Sequence, residues 1–104
     1  MSERDVYTAI ADPTRREILG LLREQRDVPA GEIARRFPGV SRPAISRHLR
    51  VLRECDVVRV ERRGKQQCYS LEAEPLREMR DGWLADFSRQ SMESLSALRR
   101  AVED

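Results

Sequence analysis

The sequence predicts a mainly α-helical fold with one small β-hairpin, in the order α-α-α-α-β-β-α. Three observations carry that prediction. Apolar residues recur at helical spacing through most of the chain, period two replaces that spacing only between Val57 and Leu71, and proline or glycine marks the breaks at Pro13, Pro29, Pro38-Gly39 and Pro75. A length of 104 residues fits a single domain, residues 1–104, whose own core is modest. With 39% apolar and 37% charged residues the chain is polar for its size, yet its regular apolar spacing separates it from disordered sequences.

Val6, Tyr7 and Ile10 share one helical face, so a short first helix is expected from Glu3 to Ala11. Asp12 can cap the next helix, and Pro13 suits its first turn, where a missing N–H costs nothing. Ile18, Leu19, Leu21 and Leu22 give Thr14 to Glu24 a broad apolar face. Gln25 to Pro29 reads as a polar connection. Ala30 to Phe37 makes about two turns, with Ile33, Ala34 and Phe37 turned inward, and Pro38-Gly39-Val40 must end them.

The helix expected next begins at a cap, Ser41, with Pro43 in its first turn. Ile45, Leu49 and Leu52 form a narrow docking stripe, and Arg42, Ser46, Arg47 and Arg50 lie opposite. A short helix, a tight turn and a capped second helix make a helix-turn-helix over residues 30–55. Long and hydrogen-bonding side chains near the start of such a helix suit base edges and phosphates in a major groove. A charged face alone is equally what solvent selects. The adjoining segment weighs the reading toward nucleic acid.

That segment, residues 57–71, alternates. Val58 and Val60 oppose Arg59 and Glu61, Cys68 and Ser70 oppose Tyr69 and Leu71, and Arg62-Arg63-Gly64-Lys65 forms a cationic turn. Such a hairpin is marginal alone and must lean on the helices. Its tip could follow the phosphate backbone or enter the adjacent minor groove. Charge is distributed to match. Residues 35–65 hold 10 basic and 3 acidic groups, net +7, between flanks of net −2 (residues 1–34) and −3 (residues 66–104).

From Glu74 helical spacing returns, through Leu76, Met79, Trp83, Leu84, Phe87, Met92, Leu95, Leu98 and Val102. Unbroken, Pro75 to Val102 would span roughly 40 Å, more than so small a body can cover. Gly82 and the polar run Ser88 to Ser91 are candidate points of bending. A partner helix from a symmetric dimer would cover Trp83, Leu84, Phe87, Leu95 and Leu98, with Val6 and Ile10 of the first helix as second contributors.

The order of these segments resembles the arsenic-repressor (ArsR/SmtB-type) family of winged helix-turn-helix repressors. The likeness is carried by A-D-P-T-R-R-E-I-L-G-L-L at 11–22, G-E-I-A-R-R-F at 31–37, S-R-P-A-I-S-R-H-L-R-V-L-R-E at 41–54 and R-R-G-K-Q-Q-C-Y-S-L at 62–71. It implies a homodimer joined through its first and last helices, the latter over residues 75–102, that binds an inverted-repeat operator in double-stranded DNA and represses transcription. It places Ser41, Arg42, Pro43, Ser46, Arg47, His48 and Arg50 on the DNA-reading helix and Arg62, Arg63 and Lys65 at the wing tip. Many members sense metals through cysteines before that helix or through histidines in the last one. Neither set is present, so the chain resembles the non-metal branch, with no cofactor expected and its inducer undefined. Asp56 stands where the family commonly has glycine.

No run of about 18 apolar residues and no signal-peptide core occur, so a soluble cytoplasmic protein is expected. Cys55 and Cys68 are too few for a disulfide framework. Oxidation of either thiol could disturb DNA binding, which leaves a redox-responsive repressor as one alternative. A protein–protein module using Trp83 and Phe87 is another. One histidine and no nucleophile–base arrangement or phosphate-cradling loop argue against an enzyme.

Overall fold

The computed structural model describes residues 5–103. It contains α1 (Val6–Ile10), α2 (Pro13–Glu24), β1 (Val28–Pro29), α3 (Ala30–Arg35), α4 (Arg42–Glu54), β2 (Val58–Arg63), β3 (Gln66–Leu71) and α5 (Glu74–Glu103). The expected first helix is shorter than its sequence range, and Glu3 and Arg4 lie outside the described residues. Each predicted cap closes its helix. Asp12 accepts the Arg15 N–H at 3.0 Å and Ser41 the Ala44 N–H at 3.2 Å, so both helices start with a satisfied donor.

The body is mainly helical around a three-stranded antiparallel sheet ordered β1-β3-β2. The predicted hairpin is present with Glu61 opposite Cys68, a register fixed by the two-residue Gly64-Lys65 turn. Gly64 takes φ +63°, as the first central position of a type II′ turn requires.

Two expectations are corrected. Gln25 to Pro29 is not merely a connection, because Val28 pairs with Tyr69 and Pro29 with Cys68. This makes β3 the central strand and buries Cys68, Tyr69 and Ser70 consecutively, where alternation had been expected. Proline is tolerated in β1 because that strand is at the sheet edge. The last helix, second, is continuous through Gly82 and Ser88 to Ser91, because one helical glycine costs only about 1 kcal/mol.

The core joins Ile18 and Leu22 of α2, Ile33 of α3, Ile45, Leu49 and Leu52 of α4, and Val57 and Val58 at the start of the hairpin. Asp56 turns the chain from α4 into the wing. At φ +60° it occupies the left-handed position after the helix, the Asp56 N–H donates to Arg53 O and the Val57 N–H to Leu52 O. This is a Schellman ending, and it explains why glycine is the usual residue there. Beyond the body α5 runs on alone, and the overall extents reach 70 × 27 × 26 Å.

Candidate nucleic-acid interface

Helix α4 is held from behind and open in front. Ile45, Leu49 and Leu52 are at most 3% exposed, whereas Ser41, Arg42, Pro43, Ser46, Arg47 and Arg50 are all exposed. The side chains of Arg42, Arg47 and Arg50 enter no hydrogen bond or ion pair among the described residues. Their guanidinium groups are therefore available, with fixed donors and permanent charge, to phosphates or guanine edges. The helix N-terminus adds its positive dipole end on the same side.

A groove of about 320 Å³ separates this face from the wing, lined by Ser46, Arg50 and Arg53 on α4 and by Gln67 and Tyr69 on β3. Arg53 and Gln67 were not among the predicted site residues. Arg53 could have been included, since it follows Ser46 and Arg50 at i+7 and i+3 on one face. Gln67 carries no such sequence signal. Burial pushes the Tyr69 phenol above its ordinary range, with the Arg53 charge acting in the opposite direction.

The wing tip is unequal in its charges. Lys65 is exposed at the turn, and Arg62 Nε donates to Gly64 O at 3.0 Å, folding back over the tip. Arg63 is engaged by Asp27 at 3.1 Å and by Glu61 at 3.0 Å. Asp27, itself left-handed at φ +51°, also accepts from the Ser70 hydroxyl at 3.2 Å and donates its N–H to the same oxygen at 3.0 Å. Arg63 thus latches the wing to the start of β1.

His48 does not share the Arg47 face. Its side chain is 19% exposed and turns toward the α1–α2 junction, where Nδ1 lies 3.3 Å from Arg15 Nη1 and Nε2 lies 3.9 Å from Asp12 Oδ2. Partial burial acts to raise the Asp12 pKa, but the Arg15 N–H and the neighbouring positive charge of the Arg15 guanidinium help to outweigh it and hold the carboxyl below its ordinary value.

On α5, Trp83, Leu84, Phe87, Leu95 and Leu98 are 46–62% exposed, and the Trp83 and Phe87 rings stack at 5.4 Å. Val6 and Ile10 are half-buried against the core, while Tyr7 is exposed. Tyr7, Ile10, Met79 and Trp83 line an apolar groove of about 270 Å³ between α1 and α5. Cys55 and Cys68 are both buried thiols. No helix among the described residues is long and apolar enough to cross a membrane.

Comparison with known proteins agrees with this geometry. A family profile described as a helix-turn-helix domain matches residues 10–61. The chain is 41% identical to the transcriptional repressor SdpR of Bacillus subtilis over 83 residues, 80% of this chain and 89% of that protein. An ArsR-like transcriptional regulator from Rhodococcus sp. RHA1 superposes with a TM-score of 0.81 at 32% identity, covering 94% of this chain and 87% of its own. The crystal structure of the ArsR family transcriptional regulator RHA00566 superposes at 0.73 with 28% identity, over 83% of this chain and 91% of its own. These relatives are regulators, which bears out the expectation that the chain is not an enzyme.

Proposed function

Because the chain belongs to the ArsR family of winged helix-turn-helix transcriptional regulators, we propose that it acts as a homodimeric repressor on an inverted-repeat operator. The observation that carries this reading is the face of α4, where Arg42, Arg47 and Arg50 project from a capped, core-docked helix with no acidic partner among the described residues. In this reading Ser41, Arg42, Pro43, Ser46, Arg47 and Arg50 enter the major groove, and Lys65 and Arg62 follow the backbone beside it.

The second copy is supported by the uncovered stripe of α5. Burying Trp83, Leu84, Phe87, Leu95 and Leu98 against their counterparts, with Tyr7 and Ile10 beside them, would join two readers about 34 Å apart, one turn of duplex. The protein would work in the cytoplasm and could act on its own promoter. We assign it to the non-metal-sensing branch. Its only histidine, His48, is committed to Arg15, and among the described residues no three His, Cys, Asp or Glu side chains converge as ligands would.

The decisive experiment is selection of bound fragments from the source genome followed by sequencing, with sedimentation of the free protein. Enrichment of one palindromic motif by a dimer is expected. Binding that falls with salt equally for all duplexes, or a monomer at every concentration, would sink the operator reading.

A further inference from the structure

Arg15 is engaged on three sides. Its Nε donates to Ala9 O at 3.2 Å, its Nη2 to Thr8 O at 2.8 Å, and its Nη1 faces His48 Nδ1 at 3.3 Å. Thr8 and Ala9 belong to the last turn of α1, where the Thr8 carbonyl also accepts the Ala11 N–H at 3.3 Å. A guanidinium can only donate, so Nδ1 of His48 must accept, and a neutral ring then carries its proton on Nε2. That nitrogen faces the carboxylate of Asp12, the cap of α2. At 3.9 Å that carboxylate is beyond hydrogen-bond reach, so the imidazole joins α4 to α2 through Arg15, and Arg15 carries the connection on to the end of α1.

The position of His48 around α4 supports the same conclusion. It precedes Arg50 by two residues, which at about 100° per residue places the two some 160° apart. A side chain there cannot reach the groove that Arg50 would enter. It can set how far α4 is rolled toward its DNA face.

We infer that His48 is a positioning residue, which through Arg15 couples α1, on the dimer side, to α4, on the DNA side. The inference rests on the proposed reading of these two faces. It takes His48 out of base recognition and gives the chain a physical link between its two interfaces.

The single histidine makes the link directly observable. In 15N-labelled protein the neutral imidazole should carry its proton on Nε2, with Nδ1 as acceptor, and Arg15→Gln should shift the balance toward the other tautomer. Affinity is then measured on a duplex enriched from a randomised library by the wild-type protein. His48→Asn, which keeps an acceptor near the Nδ1 position, should bind within about twofold of wild type, whereas His48→Phe should lose about tenfold. Arg15→Gln should lose as much as His48→Phe, the double variant no more than either, and base preference should not change.

A proton on Nδ1 in the wild type overturns the link even if the variants fold poorly. Additive losses, or a changed base preference in His48→Asn, overturn it while leaving DNA recognition standing. A wild type that binds no duplex instead removes α4 as the reader, and the coupling to DNA with it, with the imidazole signature intact.

Discussion

Helices α4 and α5 are both amphipathic, and each is left incomplete on the opposite face. In α4 the apolar stripe is closed, with Leu52 at 0% exposure, while Arg42, Arg47 and Arg50 lack anionic partners among the described residues. In α5 the charges are largely answered within the helix, Arg77 by Glu74, Arg80 by Asp81 and Arg89 by Asp86. From Trp83 onward its apolar residues are not, and Leu98 remains 62% exposed. What each helix lacks names the partner it suits. Unanswered guanidinium groups suit a polyanion, and an uncovered apolar stripe suits another apolar stripe.

The sharpest test of this contrast replaces the same residue type in both helices. Leu52→Ala should cost about 2–5 kcal/mol of folding stability at any protein concentration, since it opens a cavity in the body. Leu98→Ala should leave the fold of one chain unchanged and weaken self-association by up to about 2 kcal/mol, visible only as a shift in the concentration at which dimers dissociate. Chemical denaturation at two concentrations separates the cases. Equal, concentration-independent losses would erase the distinction between the helices.

The polar faces can be compared in the same way. Arg47→Ala should lose about 1–3 kcal/mol of operator affinity and relax preference at one base pair per half-site. Arg80→Ala, which removes an exposed pair with Asp81, should leave operator affinity unchanged. Titration against matched and single-substituted duplexes reads both effects. Should the two variants behave alike, the free arginines of α4 would be solvated surface and nothing more.

How much of this was legible beforehand depends on the range of the interactions. Caps at Asp12 and Ser41, the helical stripes and the hairpin register are written locally, because each depends on residues within a few positions. Strand β1 was not, since two residues, one of them proline, carry no period. The orientation of His48 was half legible. Its angle from Arg50 follows from helix geometry, but its partner Arg15 lies 33 positions earlier and is brought there only by the fold. The engagement of Arg63 by Asp27 was hidden for the same reason, at a separation of 36.

A smaller effect probes how α4 hands over to the wing. Asp56 holds a left-handed conformation that glycine adopts without a Cβ penalty. Asp56→Gly should therefore raise the stability of the free protein by about 1 kcal/mol, read as a higher thermal midpoint. Operator affinity should hold, because the Schellman bonds to Leu52 and Arg53 are backbone bonds that the substitution keeps. A loss of stability would mean that the Asp56 side chain contributes more than its backbone costs.

The smallest expected effect separates two cations of the wing that look alike in the sequence. Lys65 is exposed at the turn, whereas Arg63 already faces two carboxylates, Asp27 and Glu61. A cation that releases counterions from DNA contributes about 0.9 to the slope of log affinity against log salt, and one that must first leave its own carboxylates contributes less. Lys65→Ala should therefore make the slope shallower by nearly one unit with little change in base preference. Arg63→Ala should change the slope by less, and should instead speed amide exchange at Val28 and Tyr69 by loosening the wing from β1. A full unit of slope lost in Arg63→Ala, with exchange unchanged, would mean that DNA outcompetes Asp27 and Glu61 for this guanidinium and that the latch opens on binding.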